Sequence, residues 1–108
     1  MSLVVVARWR TTTDSQEHIA TLLPDVAATA LATPGCLSFE AARSTSDSRS
    51  FTLIERYTDH AAFERHLAGA DYQRMLNDLV LPHLVLRERD MYVPLPPWHG
   101  VRNGRESA

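Results

Sequence analysis

The 108-residue sequence contains very little cysteine, and this absence excludes several kinds of site. Cys36 is the only cysteine, so neither an internal disulfide nor a zinc site built on several cysteines can form. The sequence also has no glycine-rich phosphate loop, no cluster with metal-ligand spacing and no Gly-x-Ser-x-Gly turn. We therefore expect a protein that uses neither a metal nor another cofactor.

The sequence also lacks a strong excess of one charge and any long apolar run. The 11 Lys and Arg residues are scattered, and with 13 Asp and Glu residues the formal net charge is -2. A nucleic-acid interface needs a basic stripe, so we expect no nucleic-acid partner. No apolar run approaches the length of a membrane span, and the start lacks the basic region of a signal peptide. We expect a cytoplasmic protein with no membrane contact.

The apolar pattern predicts four strands. Residues 3–10, 36–43, 51–57 and 84–93 are rich in β-branched or alternating apolar residues. The polar stretch 44–50 lies between the second and third of these segments. It predicts a hairpin loop.

A first helix is predicted between the first two strands. It begins at Asp14, because Glu17 three residues later completes a capping-box pattern. Pro24 lies inside it and predicts a bend, since proline removes a backbone hydrogen bond. The helix should end at Pro34 and Gly35.

Two further helices follow the third strand. Residues 59–68 predict one, with Thr58 or Asp59 as its cap, and residues 71–80 predict a short one that Pro82 stops. The order β-α-β-β-α-β is that of a ferredoxin-like α+β fold, an antiparallel four-stranded sheet with helices on one face. We expect residues 1–94 to form one domain and residues 95–108 a mobile tail.

The face of the sheet opposite the helices predicts an interface. Val4 and Val6 in the first strand and Ile54 in the third place apolar side chains on that uncovered face. A large exposed apolar face marks a binding surface, and most oligomers are two-fold dimers. We therefore expect a homodimer.

Polar residues on the helix-facing side are candidates for chemistry. Glu55 shares a strand face with Leu53 and Tyr57, so it should point inward, where a carboxylate is costly unless paired. His66 lies in the middle of the apolar stripe of the second helix. Trp9 lies on the inner face of the first strand.

Each candidate also has a purely structural interpretation. His66 could be a core histidine with satisfied hydrogen bonds, and Glu55 could neutralise Arg8 or Arg87 within the sheet. Trp9 and Tyr72 could be core or interface aromatics. The residue pattern alone leaves these alternatives open.

The third strand and second helix together resemble a known family. Residues 53–57 read Leu-Ile-Glu-Arg-Tyr; Phe63 and His66 follow, and then Tyr72. This pattern is similar to that of the antibiotic biosynthesis monooxygenase superfamily of small dimeric α+β barrels, over about residues 3–94. The superfamily includes cofactor-independent monooxygenases of quinols and polyketide anthrones, an isomerase of a phosphorylated sugar, and haem-degrading enzymes.

The resemblance implies a pocket between the sheet and the helices. Our hypothesis for this pocket makes His66 the base, Glu55 the residue that orients it, and Tyr57 or Trp9 the hydrogen-bond donors. The implied substrate-binding residues are Trp9, Phe39, Leu53, Tyr57, Phe63 and Tyr72. The anthrone monooxygenases have asparagine at the position of Leu53 and polar residues at those of Phe63 and His66, so this chain is closer to the quinol-oxidising and isomerase branches.

The resemblance therefore implies a cofactor-independent monooxygenase that oxidises a small aromatic quinol or phenol with dioxygen. One alternative is an isomerase of a small phosphorylated carbonyl compound that uses the same pocket. Another is a non-catalytic dimeric module that binds a small ligand. A haem-degrading enzyme would need an axial histidine facing an opened cavity, and His66 alone gives that reading little support.

Overall fold

The computed structural model describes residues 2–95 and confirms the predicted order of elements. The strands and helices are β1 (Leu3–Thr11), α1 (Gln16–Leu31), β2 (Cys36–Arg43), β3 (Ser50–Tyr57), α2 (His60–Ala68), α3 (Ala70–Met75) and β4 (Leu84–Tyr92). A π-helical turn, Leu76–Val80, and a 3₁₀ turn, Leu81–His83, connect α3 to β4. The predicted mobile tail lies outside the described residues, apart from Leu95.

The four strands form one antiparallel sheet in the order β2-β3-β1-β4. The register places Ala7 of β1 between Leu53 of β3 and Arg89 of β4. The three helices cover one face of this sheet. This is the ferredoxin-like α+β fold that the sequence predicts.

Alternation along the strands sorts residues between the two faces as predicted. In β3, Leu53, Glu55 and Tyr57 are buried under the helices, whereas Ile54 is 41% exposed on the open face. The open face is apolar only at its centre, however. Charged side chains such as Arg8 and Glu40 surround that centre, so the apolar part of the open face is smaller than the sequence pattern indicates.

The start of α1 differs from the predicted capping box. Asp14 has a φ of 72°, in the left-handed region, and the helix begins at Gln16 with Ser15 as its N-cap. The Ser15 hydroxyl makes no cap bond and lies 2.6 Å from Thr12 Oγ1 and 3.0 Å from His83 Nδ1. The β1–α1 loop is thereby joined to the turn that precedes β4.

The later helices agree more closely with the prediction. Asp59 caps α2, and its carboxylate accepts a hydrogen bond of 2.8 Å from the Ala62 backbone N–H. The predicted third helix is regular only to Met75 and then widens into the π-helical turn. Pro82 lies within the 3₁₀ turn. Within residues 2–95, none of the helices has the length and apolar character that a membrane crossing requires.

Gly35 is required where the loop before β2 meets α2. Its φ is +92°, and an added Cβ would lie 2.5 Å from the Ala62 Cβ and 2.9 Å from Thr58 Oγ1.

We expect Gly35→Ala to lower the free energy of unfolding by about 2 kcal/mol, through backbone strain and overpacking. Urea denaturation measures this loss. Gly69→Ala is the control, since its added Cβ meets nothing closer than 3.4 Å, and equal stability of the two variants would contradict the assignment.

Candidate functional site

A narrow cavity lies between the sheet and the helices. The cavity is small, with a volume of about 20 Å³. That space suffices for about one water molecule. Seven of the eight predicted site residues line the cavity: Trp9, Phe39, Leu53, Glu55, Phe63, His66 and Tyr72.

Tyr57, the eighth predicted residue, does not line the cavity but contacts Glu55, which does. Its hydroxyl is fully buried and donates a hydrogen bond of 2.6 Å to Glu55 Oε1. The contact follows from β3, because residues two apart point to the same side of a strand. In this structure the Tyr57 hydroxyl is used by Glu55, and its contact with substrate stays a prediction.

Glu55 is a buried carboxyl group in this wall, only 6% exposed. Burial raises the pKa of Glu55, while the Tyr57 hydrogen bond and the positive charge of Arg89 oppose that rise. Burial and the neighbouring Glu55 raise the pKa of Tyr57 far above its ordinary value, so Tyr57 remains a hydrogen-bond donor. The pair thus presents one ionisable carboxyl to the cavity.

His66 is a buried imidazole on the helix side of the same cavity. It is 3% exposed, and its ring centroid lies 4.2 Å from that of Tyr72 and 6.0 Å from that of Tyr57. Within residues 2–95, His66 Nδ1 has no hydrogen-bond partner. Burial lowers the pKa of His66 to about 4, so the ring is neutral at ordinary pH.

The prediction that Glu55 orients His66 is wrong. Among the described residues no hydrogen bond joins the two side chains, and Tyr57 holds Glu55 instead. The alternative pairing of Glu55 with Arg8 is also wrong, because Arg8 lies on the open face and bonds Asp90 at 3.0 Å. The two proton acceptors therefore line the cavity independently.

The sequence analysis did not include the arginines at the cavity mouth among the site residues. Arg87, Glu88 and Arg89 of β4 line this edge, and the Arg89 guanidinium lies 5.2 Å from the centroid of the Phe63 ring. Arg87 and Arg89 both act against the burial that raises the pKa of Tyr72. The sequence did contain a signal for them: Arg87 and Arg89 are two residues apart in β4, and this spacing puts both on the same face of the strand.

This arrangement combines an apolar, partly aromatic wall with groups that can exchange protons. Aromatic side chains form much of the wall, and Glu55 and His66 are the least exposed ionisable groups that line it. In the part of the chain that the structure describes, no three His, Cys, Asp or Glu side chains are grouped to hold a metal ion. The chemistry available to these residues is proton transfer and hydrogen bonding.

Comparison with known proteins gives a family and a set of similar folds. Residues 2–78 match the family model described as antibiotic biosynthesis monooxygenase. The crystal structure of PA3566 from Pseudomonas aeruginosa has a TM-score of 0.80 at 26% identity, over 87% of this chain and 94% of that one. SnoaB from Streptomyces nogalater, a cofactor-independent oxygenase, has a TM-score of 0.79 at 19% identity, over 87% and 93%. Among curated proteins, none matches the sequence significantly.

The low pKa of His66 predicts an acid-dependent loss of stability. Below pH 6.5 the unfolded chain protonates this histidine, whereas the folded chain does so only near pH 4. Stability should therefore fall as the pH drops through this window, by up to about 3 kcal/mol. Urea denaturation at pH 7, 5.5 and 4 should show this dependence, and it should diminish in His66→Gln. His60→Gln, on the exposed side of the same helix, should retain it; an equal slope in His66→Gln would refute the buried neutral state.

Proposed function

The chain belongs to the antibiotic biosynthesis monooxygenase family, and we propose that it oxidises a small phenol or quinol with dioxygen without a cofactor. One observation supports this proposal above the others. A cavity with aromatic walls is lined by a buried carboxyl, Glu55, and a buried neutral imidazole, His66. The substrate ring would lie against the aromatic walls with its hydroxyl directed at these two groups.

The first requirement is to ionise the substrate hydroxyl. A phenol of pKa about 10 must be shifted by about three units to ionise near neutral pH, which is roughly 4 kcal/mol. Two hydrogen bonds to the phenolate, at about 1.5 to 3 kcal/mol each, are enough. The Tyr57 hydroxyl already serves Glu55, so Tyr72 and Arg87 are the better-placed donors.

Glu55 is better suited than His66 to take the proton. A general base works best when its pKa is near the operating pH, and burial moves the pKa of Glu55 toward neutrality. Burial moves the pKa of His66 in the opposite direction, to about 4. Glu55 is therefore assigned as the base, Tyr57 as the residue that positions it, and His66 as a neutral hydrogen-bond partner of the substrate.

The oxidation itself needs only the ionised substrate and dioxygen. The phenolate transfers one electron to dioxygen, and the resulting radical pair forms a C–O bond at a ring carbon that bears hydrogen. That hydrogen leaves as a proton, the O–O bond breaks, and the distal oxygen departs as water. Phenol and dioxygen thus give a quinone and water, and a closed cavity keeps bulk water from the intermediate.

The cavity must widen before a ring can enter it. Its present free space accommodates about one water molecule, far less than an aromatic ring. The side chains at the mouth, Arg87 to Arg89, are exposed and can move without unpacking the core. We expect bound substrate to displace these side chains.

Oxygen uptake tests the assignment of the base. With a panel of quinols and a metal chelator, we expect Glu55→Gln to lower kcat/KM by about 100-fold or more, because the general base is lost. Glu64→Gln on the exposed side of α2 is the control and should retain full activity. Undiminished uptake in Glu55→Gln would remove Glu55 from the mechanism.

Tyr57→Phe gives a separate test of how Glu55 is held. The Tyr57 hydrogen bond lowers the pKa of Glu55, so its removal should raise that pKa and move the acidic limb of the pH–rate profile to higher pH. Activity well above the limb should persist. A limb that stays in place would show that Glu55 ionisation does not control the rate.

Other outcomes would identify the alternative functions. A protein that takes up no oxygen but exchanges a proton beside the carbonyl of a phosphorylated substrate would be an isomerase. A protein that binds ligands in the cavity and does neither would be a binding module.

We also propose that the chain forms a homodimer through the open face of the sheet. Val4, Val6 and Ile54 form its apolar centre, and Tyr92 at the end of β4, paired with Val4, is about half exposed. Light scattering at micromolar concentration should show a dimer, and Ile54→Glu should dissociate it by burying an unpaired charge. Thr45→Glu in the exposed hairpin loop is the control; a dimeric Ile54→Glu would place the interface elsewhere.

A further inference from the structure

Two arginines at the cavity mouth have no carboxylate partner. The chain contains no lysine, and its 11 basic residues are all arginines. Within residues 2–95, four of these form ion pairs with carboxylates, whereas Arg87 and Arg89 form none. Arg89 lies against the Phe63 ring instead. The mouth therefore presents two cations to whatever enters it.

The sheet register directs both arginines toward the cavity. Arg87 is paired with Trp9 and Arg89 with Ala7, and both partners line the cavity wall. Glu88, between the two arginines, is paired with Arg8, whose side chain lies on the opposite face of the sheet. The two guanidinium groups thus share one side of β4.

The surface outside the mouth offers room for a charged group. A surface depression is lined by Arg87, Glu88 and Arg89, the same three residues that line the edge of the cavity. Inside that edge the walls are aromatic, with Trp9 and Phe63 among them. A ligand that satisfies both regions has a flat apolar ring at one end and an anion at the other.

We propose that this site selects an aromatic compound that carries a carboxylate or phosphate, with the anion bound by Arg87 and Arg89. Guanidinium groups suit these anions because their planar donors match two oxygen atoms at once. The claim that such a compound is the substrate rests on the proposed oxidation. The claim that the site prefers to bind it does not. The anion would also draw Arg89 away from Glu55 and so affect the base of the reaction.

Binding of three small probes tests the preference without any turnover. Benzoate, phenyl phosphate and benzamide share one ring and differ in charge, and NMR titration of the full chain gives their Kd values. We expect one or both anions to bind about tenfold or more tightly than benzamide, less so at high salt. The tighter of the two anions identifies the charged group.

Substitutions localise the preference to the two arginines. Arg87→Gln and Arg89→Gln should each reduce it several-fold, and the double variant should abolish it. Arg89→Lys keeps the charge but loses the planar pair of donors, so it should keep only part of the preference; it covers the case in which Arg89→Gln fails to fold. Arg74→Gln removes a cation from the surface of α3, where Arg74 is paired with Asp71, and should change nothing.

Equal affinity for benzoate, phenyl phosphate and benzamide would overturn the proposal, as would an intact preference in the double variant. Failure of the proposed oxidation gives a different result. In that case no phenol supports oxygen uptake, yet the anion preference and its loss in the arginine variants remain. Uptake without any anion preference would instead overturn this inference alone.

Discussion

The hydrogen bond from Tyr57 to Glu55 makes the rest of the site possible. Alternation along β3 forces Glu55 to face the helices together with its apolar neighbours, and a buried carboxyl without a partner is costly. Tyr57, two residues along the same face, provides the donor at 2.6 Å. A polar group is thereby stabilised inside a cavity whose walls are mostly apolar, where it can meet a substrate.

Burial acts on the two ionisable groups of the cavity in opposite directions. It raises the pKa of Glu55 and lowers that of His66, and both changes favour the uncharged form. One consequence is that the imidazole stays neutral without any partner at Nδ1. The other is that the carboxyl becomes a stronger base when ionised, which changes the roles that were hypothesised for Glu55 and His66 from the sequence.

Much of the fold could be predicted from the sequence, because the two-residue period of strands and the 3.6-residue period of helices are set by residues close together in the chain. They place Trp9 and Glu55 on the inner face of the sheet and His66 on the buried stripe of α2. The partner of Glu55 was missed although the same period-two pattern contains it, since Tyr57 lies two residues along β3 on the same face. Arg89 was missed because its position depends on the β1–β4 register, which includes an irregularity beside Arg10. The cap at Ser15 was missed because Asp14 adopts a left-handed conformation.

Oxygen isotope labelling tests the central claim most directly. The protein would be incubated with a phenol under ¹⁸O₂, with metal chelated and flavin excluded, and the products analysed by mass spectrometry. The proposed reaction at the Glu55 cavity predicts one labelled atom in the quinone and the other in water. Consumption of dioxygen to hydrogen peroxide with an unlabelled product, or no consumption at all by a phenol that binds, would contradict it.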